Sequence, residues 1–146
     1  MPHSEESVGL LIASASSSVR DNCIITIFLN CALRLSKLAT LNIDQVEVDI
    51  ISVDGKGNKE RKIYITPAVK QALIKWLPIR NTLSVDTNAL FISRNKFRLT
   101  ARSIQNVVKK NIVAAGINPN GLSTHKLRHT AATLMYKYGR VYIRSL

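Results

Sequence analysis

Acidic residues are missing from the last 60 positions of this 146-residue chain: none of its nine aspartates and glutamates lies beyond Asp86. Nucleases and transposases that use two metal ions gather several carboxylates around them, so residues 87–146 favour a metal-free mechanism. Long apolar runs are also missing. The longest, residues 22–35, is interrupted by Asn30 and followed by charge, well short of the roughly 20 residues of a membrane span. The opening Met1-Pro2-His3-Ser4-Glu5-Glu6 carries acids where a signal peptide carries basic residues, which reads as a cytoplasmic protein. Cysteine is scarce. Cys23 and Cys31 share one helical run, where a rise of about 1.5 Å per residue separates them by roughly 12 Å, beyond the roughly 7 Å a disulfide spans. They read as reduced core residues, which suits the same compartment. Internal repeats and low-complexity segments are absent.

What the chain does have is positive charge: 21 Lys and Arg against those nine acids, a net charge of +12. Residues 1–86 sum to only +1, whereas residues 87–146 carry +11. With 46% hydrophobic residues the chain can build a core, which excludes a disordered basic tail. Soluble surfaces usually mix both signs of charge, so an acid-free basic half points to a polyanion partner. The alternative is a generally basic protein with no nucleic-acid role.

The length fits one domain. Ser4 to Ala15 has the pattern of a short helix, followed by a linker at Ser14–Ser18, and Asp21 opens a second helix. In it Ile24, Ile25, Ile27, Phe28 and Leu29 leave almost no polar face, so this helix belongs at the centre of the domain. Leu35, Leu38 and Leu41 keep helical spacing up to a turn at Asn42-Ile43-Asp44. Two β-rich runs, Val46 to Val53 and Arg61 to Thr66, flank Asp54-Gly55-Lys56-Gly57-Asn58-Lys59-Glu60, a hairpin signal. Pro67 suits a helix start, with Val69, Leu73, Trp76 and Leu77 on the inner face. Leu90 to Ser93 reads as a short strand turned back at Arg94–Arg98. From Thr100, Ile104, Val107, Val108, Ile112 and Ala115 mark a helix that Gly116 would cap. Asn118 to Gly121 is a turn by composition, and the last helix, from Ser123 or Thr124, has Leu127, Ala131, Leu134, Met135 and Tyr138 as its apolar face. The expected fold class is α+β, mainly α-helical, with a small antiparallel β-sheet.

Chemistry concentrates at three places. On the last helix His125, Arg128 and His129 share one side, so a cation and two imidazoles are presented together. This suits a phosphate site with Arg128 as bidentate clamp and His125 as proton donor or acceptor; the alternatives are a solvated polar face or a zinc pair, which lacks a nearby third ligand. Arg34, between Leu33 and Leu35, would be partly buried and costly unless paired with Asp21, Asp44, a helix C-terminus or an anionic ligand. The Gly55–Lys62 loop puts cations at a hairpin tip without the frame of a P-loop. Arg94, Lys96, Arg98, Arg102, Lys109 and Lys110 add six charges, each suited to a DNA phosphate.

Taken in order, Cys31-Ala32-Leu33-Arg34-Leu35-Ser36-Lys37-Leu38, Gly55-Lys56-Gly57-Asn58-Lys59-Glu60-Arg61 and His125-Lys126-Leu127-Arg128-His129-Thr130-Ala131-Ala132-Thr133 resemble the signature segments of the tyrosine recombinase (phage integrase) family, and in particular its Xer-like members. The resemblance covers the chain from about residue 20 onward and implies that family's catalytic-domain fold. It implies a site-specific DNA recombinase or integrase of a mobile element or of chromosome resolution. Arg34 and Arg128 would be the two catalytic arginines that hold the scissile phosphate. Lys56 would protonate the leaving 5′-hydroxyl, and His125 would assist proton transfer. A tyrosine near the C-terminus would form a 3′-phosphotyrosyl link that a second strand reseals, with no metal and no nucleotide cofactor. Lys59, Arg61 and His129 would join the six C-terminal cations in contacting double-stranded DNA, and the partners would be other recombinase protomers in a tetrameric synapse, not a membrane.

The departures are specific. The family places its nucleophile roughly 20 to 35 residues beyond the second arginine, whereas this sequence stops 18 residues after Arg128. Tyr136, Tyr138 and Tyr142 come too early and in the wrong local sequence, so they read as structural. Ala32 replaces a usual glycine and Lys37 a usual glutamate. The expectation is therefore residues 1–146 as a single partial catalytic domain, without the N-terminal DNA-binding domain and the C-terminal tyrosine segment, binding DNA but inactive alone. The alternatives are a non-catalytic DNA-binding remnant, a partner of a full-length recombinase, or a type IB topoisomerase-like strand transferase.

Overall fold

The computed structural model describes residues 18–31, 33–54 and 60–114. The first helix, α1 (Val19–Cys31), starts where Ser18 Oγ accepts a hydrogen bond from the Asp21 amide at 3.2 Å, a side-chain cap for one of the free amides of the first turn. Asp21 is favourable there against the helix dipole and pairs with Arg20 at 2.9 Å. Cys23, Ile24, Ile25, Ile27 and Phe28 are completely buried, so α1 is the central helix that its nearly unbroken apolar composition calls for.

A short helix follows, α2 (Leu35–Ala39), then a 3₁₀ turn at Ile43–Gln45. The Asn42 amide donates to Gln45 Oε1 at 2.7 Å, and Gln45 Nε2 donates to the Ser52 carbonyl at 2.9 Å, tying this turn to the sheet. Strands β1 (Ile50–Asp54) and β2 (Glu60–Tyr64) pair antiparallel from Ile50↔Tyr64 to Asp54↔Glu60. Ile51 and Val53 are buried, so one face of the hairpin seals the core. β1 is shorter than the Val46–Val53 run because the Glu47 amide donates back to the Ile50 carbonyl at 2.8 Å, folding residues 47–50 into a turn.

Helix α3 (Pro67–Asn81) begins at an N-cap, with Thr66 Oγ1 accepting from the Val69 amide at 3.3 Å and proline in the first turn, where its missing N–H costs nothing. Its inner face is Val69, Ala72, Leu73, Trp76 and Arg80, all buried, with Leu77 packed partly against the same core. This face lies on α1. The last described helix is α4 (Ala101–Ala114), started by Thr100 Oγ1 accepting from the Ser103 amide at 3.1 Å and holding the core with Ile104, Val107 and Val108.

The segment Leu90–Ser93 differs from the strand expected. It forms only the isolated bridge Ile92↔Arg98, with Asn42↔Ala89 just before it. Side chains take carbonyls that a neighbouring strand would otherwise use: Trp76 Nε1 donates to Leu90 O at 2.9 Å, Arg80 Nε to Ala89 O at 2.8 Å, and Arg20 Nη1 to Ile92 O at 3.0 Å. The chain does turn back at 94–98 as anticipated, closed by Ser93 N donating to Phe97 O at 2.7 Å, with Lys96 at φ 67°. The result is a mostly helical domain with a two-stranded antiparallel sheet. Among the described residues no helix is long and apolar enough to cross a membrane. The expected helix at 4–15, the cap at Gly116, the turn at 118–121 and the final helix lie outside the described residues.

Candidate phosphate-binding site

Arg34 stands at the joint between α1 and α2. Its backbone is extended, φ −68° and ψ 151°, and its carbonyl accepts from the Leu38 amide at 3.0 Å, the first bond of α2. The sequence suggested a partly buried guanidinium, but the structure leaves Arg34 exposed. The reason is geometric: in extended chain successive side chains point to opposite sides, so Leu33 goes into the core and Arg34 goes out. Of the partners considered for it, Asp21 is taken by Arg20, whose Nε and Nη2 donate to Asp21 Oδ1 at 3.0 and 2.9 Å. Asp44 is exposed and makes no ion pair with Arg34 among the described residues. The Arg34 charge is thus presented to solvent, on a backbone held from both sides.

One bond brings the end of the hairpin to α1, and a second, within α1, fixes the side chain that receives it. Thr66 Oγ1, just after β2, donates to Asn30 Oδ1 at 3.4 Å, and Asn30 Nδ2 donates to Thr26 O at 2.8 Å. The strand-to-helix corner is thereby tied to the last turn of α1, immediately before Arg34. Asp54 pairs with Glu60, so Lys56 and Lys59 belong to the five-residue connection 55–59, outside the described residues. Arg61 is exposed at the distal end of β2, opposite Val53. Lys62 is exposed as well, but its place opposite Ser52 puts it on the other face of the hairpin.

The remaining cations divide. Arg94 and Lys96 are exposed on the tight turn after Ile92, with Phe97 beside them 71% exposed. Arg102, Lys109 and Lys110 are exposed on α4. Arg98 departs from the expectation of a phosphate contact. Its guanidinium is spent inside the fold: Nη1 donates to the carbonyls of Ala39 and Leu41, both at 3.0 Å, and Nη2 donates to Asn42 Oδ1. The sequence does not flag this use, since Arg98 looks like any other cation of the basic half. His125, Arg128 and His129, together with Tyr136, Tyr138 and Tyr142, lie outside the described residues.

The cysteines behave as expected of core residues. Both are free and buried. Burial pushes the Cys31 thiol up to about 12 and raises that of Cys23 further, with Cys31 adding to the effect. Neither is a thiolate at neutral pH, so neither is a nucleophile.

Residues 3–141 match the model of the phage integrase family. The chain belongs to the phage integrase family. A tyrosine recombinase XerC from Caldanaerobacter subterraneus subsp. tengcongensis is 47% identical over 128 residues, covering 87% of this chain and 36% of that protein. Among solved structures, XerA recombinase superimposes with a TM-score of 0.87 at 28% identity, over 95% of this chain and 52% of that one. XerH bound to its difH substrate shares the fold, with a TM-score of 0.78 at 24% identity over 93% of this chain and 43% of that one. The integrase-family chain spans less than half the length of the curated relatives it matches. Its mostly helical fold with a small antiparallel sheet is that of tyrosine recombinase catalytic domains.

Proposed function

We propose that these residues form the phosphate-holding part of a site-specific DNA recombinase, acting by strand cleavage and rejoining through a 3′-phosphotyrosyl intermediate. Arg34, Lys56, His125 and Arg128 are the catalytic residues. Lys59, Arg61, Arg94, Lys96, Arg102, Lys109, Lys110 and His129 contact the backbone of double-stranded DNA, and Arg98 is omitted because of its internal bonds. The observation that carries the reading is Arg34 itself: an exposed guanidinium at a braced helix joint, unpaired among the described residues, in a chain of the phage integrase family.

In this mechanism the two arginines bind the nonbridging oxygens of the scissile phosphate and stabilise the extra charge of the pentacoordinate transition state. Attack by a tyrosine hydroxyl forms the phosphotyrosyl ester as the bond to the 5′-oxygen breaks. Lys56 delivers a proton to that oxygen, with His125 assisting, and resealing runs the same steps in reverse with the 5′-hydroxyl of a second strand. The protein works in the cytoplasm, on DNA of a mobile element or in chromosome resolution, and beside other recombinase protomers.

Tyr136, Tyr138 and Tyr142 stay out of the chemistry. Incubation with a nicked suicide duplex tests this: the 146-residue chain retains the DNA without a covalent adduct. An adduct mapped to any of the three tyrosines contradicts it.

A further inference from the structure

We propose that Arg98 is a positioning residue for Arg34, acting through α2. This rests on the reading of Arg34 as a phosphate ligand. α2 has only five residues, too short to hold its own geometry in water, and Arg34 takes its position from the first bond of that single turn. At the far end of the turn Thr40 and Leu41 take the carbonyls of Ser36, Lys37 and Leu38. Arg98 holds the last helical carbonyl and the chain just beyond it with a fork: one nitrogen at 3.0 Å from both Ala39 O and Leu41 O, the other on the Asn42 side chain. A planar guanidinium suits such divergent acceptors, and its positive charge favours a helix C-terminus.

Arg98 is itself fixed. It stands opposite Ile92 in the bridge that closes the 93–98 turn, and the next residue, Leu99, is buried and donates its amide to Phe91 O at 3.1 Å. The basic turn and the start of α4 are therefore braced against the helix that carries Arg34. Arg98 acts on DNA without touching it: its loss lets α2 fray and releases Arg34 from its place.

Duplex DNA binding by the 146-residue chain, measured as the salt dependence of affinity, tests the proposal with Arg34→Ala, Arg98→Ala, Arg98→Lys and the double Ala variant. Losing one phosphate contact flattens the slope of log affinity against log salt by about one. Arg34→Ala is expected to show that change, Arg98→Ala the same change, and the double variant no more than either. Arg98→Lys keeps the charge but cannot serve the fork, so it behaves like Arg98→Ala; it also carries the test if the alanine variant unfolds. Additive losses, or a normal slope in Arg98→Lys, overturn the proposal, since both mean that Arg98 meets phosphate directly. An unchanged slope in Arg34→Ala removes the phosphate reading of Arg34 and the positioning role with it. A change in Arg98→Ala alone separates that failure from one of Arg98.

Discussion

Arg34 combines an exposed side chain with a backbone locked by its neighbours, and those two properties separate its effects. Arg34→Ala should leave the melting temperature within a degree or two, since exposed positions without partners change stability by about 0.5 kcal/mol or less. Thermal unfolding followed by circular dichroism checks this. Arg34 stands out in the sequence because a lone arginine in the run Leu33-Arg34-Leu35 is conspicuous. Its exposure was not legible there, because that depends on a break between α1 and α2 that apolar spacing does not reveal. The two cysteines were legible in full, as their place in an apolar helical run dictates burial. A raised thiol pKa means that the folded chain holds its proton where the unfolded chain has released it. The stabilisation is present below the usual thiol value of 9.0 and is lost as pH rises from there toward about 12. Denaturant midpoints measured upward from pH 8 should fall, and fall less steeply in Cys31→Ala than in the parent chain.

Helix ends and buried hydrogen bonds decide how the elements hold the site. The start of α3 was visible at Pro67, whereas the N-cap at Thr66 was not, because Thr66 reads as the end of a β-rich run; Thr66→Ala should cost about 1 kcal/mol in urea unfolding. That substitution also removes the donor to Asn30, loosening the corner between hairpin and α1. Leu90–Ser93 was read as a strand because its apolar residues match a strand run, whereas the Leu90 and Ile92 carbonyls accept from the side chains of Trp76 and Arg20. Just before it, Arg80 is buried, 3% exposed, and donates to the carbonyls of Ala89 and Thr87. Arg80→Ala leaves buried carbonyls unsatisfied, and each such group costs about 1–3 kcal/mol. A loss of that size in denaturant unfolding is expected, and a neutral effect would show that the segment holds without it.

Across the whole molecule, the division of charge into +1 and +11 meets a fold in which the exposed cations of residues 87–114 sit on the 93–98 turn and along α4. The charge pattern indicated a polyanion, while the motif order indicated the family; neither revealed that Arg98 faces inward, because its role comes from contacts 57 and 59 residues away in sequence. We propose that residues 18–114 contribute Arg34 as a working part of a recombinase phosphate site that His125 and Arg128 complete. The direct measurement is covalent adduct formation on a nicked duplex carrying the XerC site, by the Caldanaerobacter XerC relative with these residues in place of its corresponding segment. The chimera should form the phosphotyrosyl adduct, and Arg34→Ala in it should slow that step by about 10²-fold or more while DNA affinity changes far less. Adduct formation at an unchanged rate in the Arg34→Ala chimera, or a folded, DNA-binding chimera that forms none, would contradict the claim.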